Sequence, residues 1–288
     1  MRSTSMIRLA GASSPASVAV LVAAAVLCLV LTGVARADGA PPGADGAQGR
    51  LGQSPRHGEF VDVPVDGRAA GPVKAWVVYP ERKDEAPVVI VIHEIFGLTD
   101  WVRAVADQLA ADGFIAIAPD LLSGLGPDGG DTGSFDEGTV RDAVRGLKPE
   151  DVTAALAAVR AYGAGLPASN GNTGVVGYCW GGTQSFRFAA ADGVGAAVVY
   201  YGSTPDAATL ANVKAPVLGL YGEDDARVNQ TIPQAEQALG ERFEKHVYPA
   251  AGHGFLRQQD GRGGANKAAT DAAWPRTVEF FRERLEPK

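Results

Sequence analysis

Gly174-Val175-Val176-Gly177-Tyr178-Cys179-Trp180-Gly181-Gly182 is the stretch whose reading decides the fold. Its apolar run, Gly174 to Tyr178, reads as a short buried parallel strand. It closes on Gly177-Tyr178-Cys179-Trp180-Gly181, the nucleophile-elbow pattern G-x-S-x-G with sulfur in place of oxygen. The two glycines answer a steric need, because the turn is strained and its backbone passes close to its neighbours. The following helix, expected over 181–191, aims its N-terminal N–H groups at Cys179. That lowers a thiol pKa and supplies donors for an oxyanion. Alone, the pattern is equally a small buried cysteine at a strand end. The rest of the chain changes the odds.

A thiol nucleophile needs a base, and the base needs an orienting carboxylate. Of the four histidines, His57 precedes the first expected strand, His93 ends a strand and His246 lies inside one. His253 stands in Ala251-Gly252-His253-Gly254-Phe255, a loop after the last expected strand, where flanking glycines let the backbone carry an imidazole over a sheet edge. The carboxylate comes from Gly222-Glu223-Asp224-Asp225, after an earlier strand, with Asp224 and Asp225 both open. Nucleophile, acid, histidine is the chain order of the α/β-hydrolase triad. The oxyanion hole needs two N–H groups. Trp180 supplies one, and Ile95, in the turn Glu94-Ile95-Phe96-Gly97, supplies the other. Glu94 beside a nucleophile's pocket is poorly solvated, with a raised pKa, and contacts the resting thiol or pairs with a nearby arginine.

Around the elbow the chain alternates strand and helix. Strands are expected at 59–65 and 73–79 as an antiparallel pair, then at 88–93, 114–119, 194–201, 217–221 and 243–248. Helices are expected at 101–111, 149–162, 232–239 and about 268–285. This alternation gives a mostly parallel sheet with helices on both faces in a single α/β domain over 56–288. In such sheets the site lies at the carboxyl ends of the strands. Residues 120–147 are rich in Gly and Asp without apolar periodicity, and read equally as a lid or a solvated excursion. Their acidic spacing does not fit a calcium loop.

The N-terminal part reads as transport rather than structure. Arg2 and Arg8 precede an apolar run from Val18 to Val34, and Ala35-Arg36-Ala37 is a small-x-small cleavage site. Residues 1–37 are therefore expected to be a signal peptide, preferred over a retained anchor. Residues 38–55, nearly all Gly, Pro, Ala and polar, are expected to be a disordered leader. Loss of Arg2, Arg8 and Arg36 takes 26 basic residues to 23 against 33 acidic ones, a net charge of −10. That argues against nucleic acid or anionic membrane as partners. Cys28 leaves with the signal, so the exported chain keeps one thiol, Cys179, and can form neither an internal disulfide nor a Cys-based zinc site. The expectation is a secreted or periplasmic monomer without cofactor or metal.

Taken together, His93-Glu94-Ile95-Phe96-Gly97, Ala118-Pro119-Asp120-Leu121, Gly177-Tyr178-Cys179-Trp180-Gly181-Gly182, Tyr200-Tyr201-Gly202, Gly222 to Val228 and Ala251-Gly252-His253-Gly254-Phe255 resemble the dienelactone hydrolase family. The resemblance runs from about Val88 to the end. It implies the α/β-hydrolase fold and hydrolysis of small esters or lactones by a cysteine nucleophile. It selects Asp225 as the acid, gives Glu94 the family's glutamate, and places a substrate-binding arginine on Arg257 and a pocket tyrosine on Tyr201. A second substrate-binding arginine of the family has no clear counterpart, and Arg141 is the nearest. A broad carboxylesterase, or a catalytically silent binding member of the fold, are the alternatives.

Overall fold

The computed structural model describes residues 39–191 and 193–286. A single 3-10 turn at Ala44–Gly46 and helix α1 (Ala47–Gln53) lead into strands β1 (Gly58–Val63) and β2 (Val73–Val78). Strand β3 (Ala86–Ile92), helix α2 (Asp100–Ala111) and strand β4 (Ile115–Pro119) follow. An excursion carrying α3 (Glu137–Arg145) reaches α4 (Pro149–Ala164), then the elbow strand β5 (Ser169–Tyr178) and its helix α5 (Trp180–Phe188). The chain ends with β6 (Val194–Tyr200), α6 (Ala207–Ala211), β7 (Val217–Asp224), α7 (Ala226–Asn229), α8 (Ile232–Leu239), β8 (Phe243–Gly252) and α9 (Ala265–Leu285).

Among the described residues the strands form one sheet in the order β1-β2-β4-β3-β5-β6-β7-β8. β2 runs antiparallel to both β1 and β4, and every other neighbouring pair is parallel. The alternating pattern of the sequence implies this mixed sheet, and the register Ile92 opposite Gly177 puts the ends of β3 and β5 side by side. Chain direction reverses around β3, so these ends flank the switch point at which such sheets open a crevice.

β3 shows why its apolar run has no polar face. Val89 and Val91 belong to the core on one side of the sheet, Val88, Ile90 and Ile92 to the core on the other, and all five are fully buried. A pleated strand sends successive side chains to opposite faces, so both faces must be covered. Full burial of each such side chain is worth about 1.5–3 kcal/mol over exposure. On one face α2 contributes Trp101, Val102, Val105 and Leu109, and α9 contributes Trp274, Val278 and Phe281. On the other, α4 contributes Val152, Leu156 and Val159, one helical stripe.

Two expectations change. The signal-peptide reading of 1–37 lies outside the described residues. The disordered leader expected at 38–55 is not what the structure shows from residue 39 on, since α1 forms there with Ala47 only 1% exposed. Its order comes from α2 rather than from its own composition. Arg50 Nε and Arg56 Nη2 reach Asp107 at 2.9 and 2.8 Å, Arg50 Nη2 donates to Gln108 at 2.7 Å, and the Ser54 hydroxyl also donates to Asp107. The second change concerns 120–147, which is folded onto the sheet edge and carries a helix.

Candidate active site

The elbow is built as its glycines require. A Cβ on Gly177 would fall on the Gly181 carbonyl, and one on Gly181 would fall on the Ile92 and His93 carbonyls. The turn therefore closes against the end of β3 at backbone distance. Cys179 takes φ 56° and ψ −116° there, a conformation that costs on the order of 1–3 kcal/mol for a residue with a side chain. The Cys179 N–H is fixed by the Tyr200 carbonyl at 3.0 Å, and its C=O accepts from Gly182 and Thr183. The side chain is left at the helix N-terminus, partly exposed.

His253 Nε2 lies 3.1 Å from Cys179 Sγ, and His253 Nδ1 lies 2.5 Å from Asp225 Oδ2. Residues 74 and 28 positions apart in the chain thus meet in one row. The choice between the two aspartates follows from geometry. Asp224 is exposed and pairs with Arg262 at 2.6 Å, whereas Asp225 is 7% exposed and caps α7 through the Val228 N–H. Burial works against charge on His253, but Asp225 and the Cys179 sulfur outweigh it and raise the imidazole to about 9. That favours imidazolium beside thiolate. The Tyr201 ring, fully buried at φ 39°, stands edge-on to the imidazole with centroids 5.2 Å apart. Burial drives the Tyr201 hydroxyl well above its ordinary pKa, so it stays a neutral phenol. The other histidines stand apart: His246 pairs with Glu244, His57 stacks on Tyr79, and His93 is buried, stacks on Trp180 and hydrogen-bonds the Glu94 carbonyl.

Glu94 behaves differently from the expected thiol contact. Its carboxylate is 3% exposed and lies 2.8 Å from Arg257 Nε, so the pairing is with the arginine. The buried anion takes the nearby cation, while the sulfur takes the imidazole. Burial pushes Glu94 up to about 7, and Arg257, His253 and the Tyr201 hydroxyl keep it from rising further. Arg257 also lies over the Phe96 ring, 4.8 Å from its centroid, and Arg141 lies over the same ring at 5.0 Å. The structure thereby brings Arg141, unplaced by sequence, beside the turn at 94–97.

Ile95 and Phe96 are the central residues of that turn, closed by Gly97 N–H to the Glu94 carbonyl at 3.3 Å. Trp180 is the first residue of α5, where a helix offers N–H groups without intrahelical acceptors. The elements that hold the turn come from the excursion. Asp120, at the end of β4, accepts from the Leu122 N–H, the Thr132 N–H and the Thr132 hydroxyl. The Thr132 oxygen in turn accepts from the Leu98 N–H at 3.1 Å and fills the space a Cβ on Gly97 would need. Leu122, Val140 and Val144 pack with Phe135 against Trp180. Residues 120–147 are an ordered cover on the site's edge. Sequence reading missed Thr132, and also Asn266, which bonds the Gly252 N–H and the Gln258 carbonyl and so clips both ends of the His253 loop. Neither leaves a signal in local composition.

Comparison with known proteins follows this geometry. The sequence profile of the dienelactone hydrolase family matches residues 73–285. A carboxymethylenebutenolidase of a Pseudomonas species is 33% identical over 236 residues, covering 77% of this chain and 94% of that protein. A Salmonella typhimurium protein assigned the same activity is 33% identical over 227 residues, covering 72% of this chain and 81% of its own length. The crystal structure of a Klebsiella pneumoniae protein assigned as a dienelactone hydrolase superposes with a TM-score of 0.68 at 29% identity, covering 79% of this chain and 99% of that one. The sheet and its flanking helices are those of the α/β-hydrolase fold.

Proposed function

The chain belongs to the dienelactone hydrolase family and is a hydrolase acting on carboxylic ester bonds; on that footing we propose that Cys179, His253 and Asp225 form its catalytic triad, acting on small esters or lactones. The observation that carries the proposal is the continuous row from Asp225 Oδ2 through His253 to Cys179 Sγ, with contacts of 2.5 and 3.1 Å. In the reaction, His253 holds the thiol proton as imidazolium, oriented by Asp225. The thiolate attacks the carbonyl carbon, and the oxyanion is received by the N–H groups of Trp180 and Ile95. The tetrahedral adduct collapses to a thioester as the alkoxide leaves with the proton from His253. Water then attacks the thioester, giving a proton to His253, and the acid is released with the thiol restored. In a lactone the leaving oxygen stays attached to the acyl group until this second step.

Arg257 and Arg141, both on the Phe96 ring, support a substrate that carries its own carboxylate. Such a group would compete with Glu94 for Arg257. Activity of Cys179→Ala on p-nitrophenyl esters and on a dienelactone is expected at background, and retention of most of the rate would overturn the assignment. A panel of lactones against linear esters reads the substrate class.

Export belongs to the same proposal. The apolar run at 18–34 and the Ala35-Arg36-Ala37 site support cleavage after Ala37. Sequencing the N-terminus of the protein from the extracytoplasmic fraction is expected to read Asp38 first. A full-length chain retained in the membrane would exclude cleavage.

A further inference from the structure

Residues 40–53 lie outside the family match and yet reach the loop that carries His253 and Arg257. The Ala44 N–H donates to the Arg257 carbonyl at 2.9 Å. Gln259 Nε2 donates to the Pro41 carbonyl at 2.8 Å and to the Leu256 carbonyl at 3.0 Å. Gly43 sits so close that a Cβ there would stand 3.2 Å from the Arg257 oxygen. On the other side, Trp101 Nε1 donates to the Pro42 carbonyl at 3.1 Å, and Arg50 is fixed to Asp107 and Gln108. Trp101, Asp107 and Gln108 all belong to α2, which starts three residues after the Gly97 that closes the 94–97 turn. The segment is therefore a strap tied to α2 on one side and to the Arg257 loop on the other.

The loop needs this support where it receives it. Its internal bonds run from the Arg257 and Gln258 N–H groups to the Gly254 carbonyl, and Asn266 holds Gln258 from within. The Arg257 carbonyl is held from outside, by Ala44. Arginine has a long, rotamer-rich side chain, so the place of its guanidinium depends on the place of its backbone. Displacement of a binding group by about 1 Å is enough to weaken a substrate's orientation severely.

We propose that Pro41–Ala44 is a positioning strap that sets the height of Arg257 over Glu94 and Phe96, and with it the preference for carboxylate-bearing over neutral esters. The proposal rests on the reading of Cys179 as nucleophile and Arg257 as carboxylate receiver. Ala44→Pro tests it with little disturbance. Ala44 opens a 3-10 turn, where proline's φ fits, and Gly43 has φ −65° and ψ 175°, the extended conformation required before proline. The substitution removes one N–H. Gln259→Met removes the bond to Pro41 at similar volume, and Ala44→Ser keeps the N–H as a control.

Mono-p-nitrophenyl succinate and p-nitrophenyl butyrate share a leaving group and differ in the acyl carboxylate. In Ala44→Pro and Gln259→Met, KM for the succinate is expected to rise about fivefold, the size of one lost hydrogen bond. Its kcat, and both constants for the butyrate, stay within about twofold of wild type. Ala44→Ser keeps the wild-type constants, and the amides of 254–261 exchange faster in Ala44→Pro. Equal losses on both esters, or faster exchange without any change in KM for the succinate, overturn the strap as a selectivity element. Should Ala44→Pro fail to fold, Gln259→Met alone decides. Activity surviving in Cys179→Ala would instead overturn the nucleophile, and the exchange measurement reads the strap independently of it.

Discussion

Cys179 concentrates the residue-scale argument. A positive φ at a side-chain-bearing residue is sustained only because Gly177 and Gly181 let three backbone segments touch. The sequence made this legible, since two glycines two residues either side of a thiol after an apolar run have few other uses. It left Asp224 and Asp225 equal, because a capping role and a row with an imidazole are set by the path of the chain after β7. Glu94 was legible as a poorly solvated acid, but not its partner, which lies 163 positions away at Arg257. Its pKa of about 7 has a consequence. Above that pH the carboxylate is charged and holds Arg257; below it, the neutral acid releases the guanidinium to a substrate. We expect KM for mono-p-nitrophenyl succinate to rise as pH climbs through about 7, and the rise to vanish in Glu94→Gln. A pH series of initial rates for both proteins checks this.

At the scale of elements, the 120–147 excursion shows what periodicity cannot report. Its fold rests on Asp120, which gathers three hydrogen bonds, and on one threonine side chain that meets both Asp120 and the Leu98 N–H. Such side-chain-to-backbone bonds replace secondary structure locally and leave no apolar rhythm. The short helix α3 escaped notice because only Val140 and Val144 are buried along it. Strands β5 and β8 extend beyond their apolar runs, since parallel neighbours continue the ladder through polar residues. Thr132→Val keeps the shape and removes the hydroxyl. We expect it to cost about 1–2 kcal/mol in urea unfolding, for the Leu98 amide and the Asp120 carboxylate both lose a partner. It should also lower kcat about tenfold with little change in KM, as the 94–97 turn loosens where an oxyanion needs it.

For the molecule as a whole, most of the sheet was readable from alternation, because strands covered on both faces are apolar throughout and the helices between them are striped. The N-terminal segment was not. A stretch of Gly, Pro and Ala has no core of its own to announce, and its order is imposed by α2 and by a loop near the C-terminus. Asp107 is the anchor on α2. Burial works against its charge, but Arg56, Ser54 and Arg50 outweigh this and hold its carboxyl below the usual range. Because the folded pKa is depressed, the contribution is present above about 3.8 and is lost as pH falls through the lower folded value. We expect Asp107→Asn to cost on the order of 2–3 kcal/mol at neutral pH, leaving Arg56 nearly buried without its anion, and to narrow the difference from wild type in acid. Chemical denaturation at pH 7 and pH 3 measures both.

The bond between Gln259 and Pro41 joins positions 218 residues apart. A ribosome has released the strap long before it makes the loop that seats it, so in biosynthesis the first part of the domain to emerge is among the last to dock. Nascent chains that stop short of residue 259 hold the thiol but lack the clasp, and ester cleavage should first appear only after the final strand and helix have left the exit tunnel.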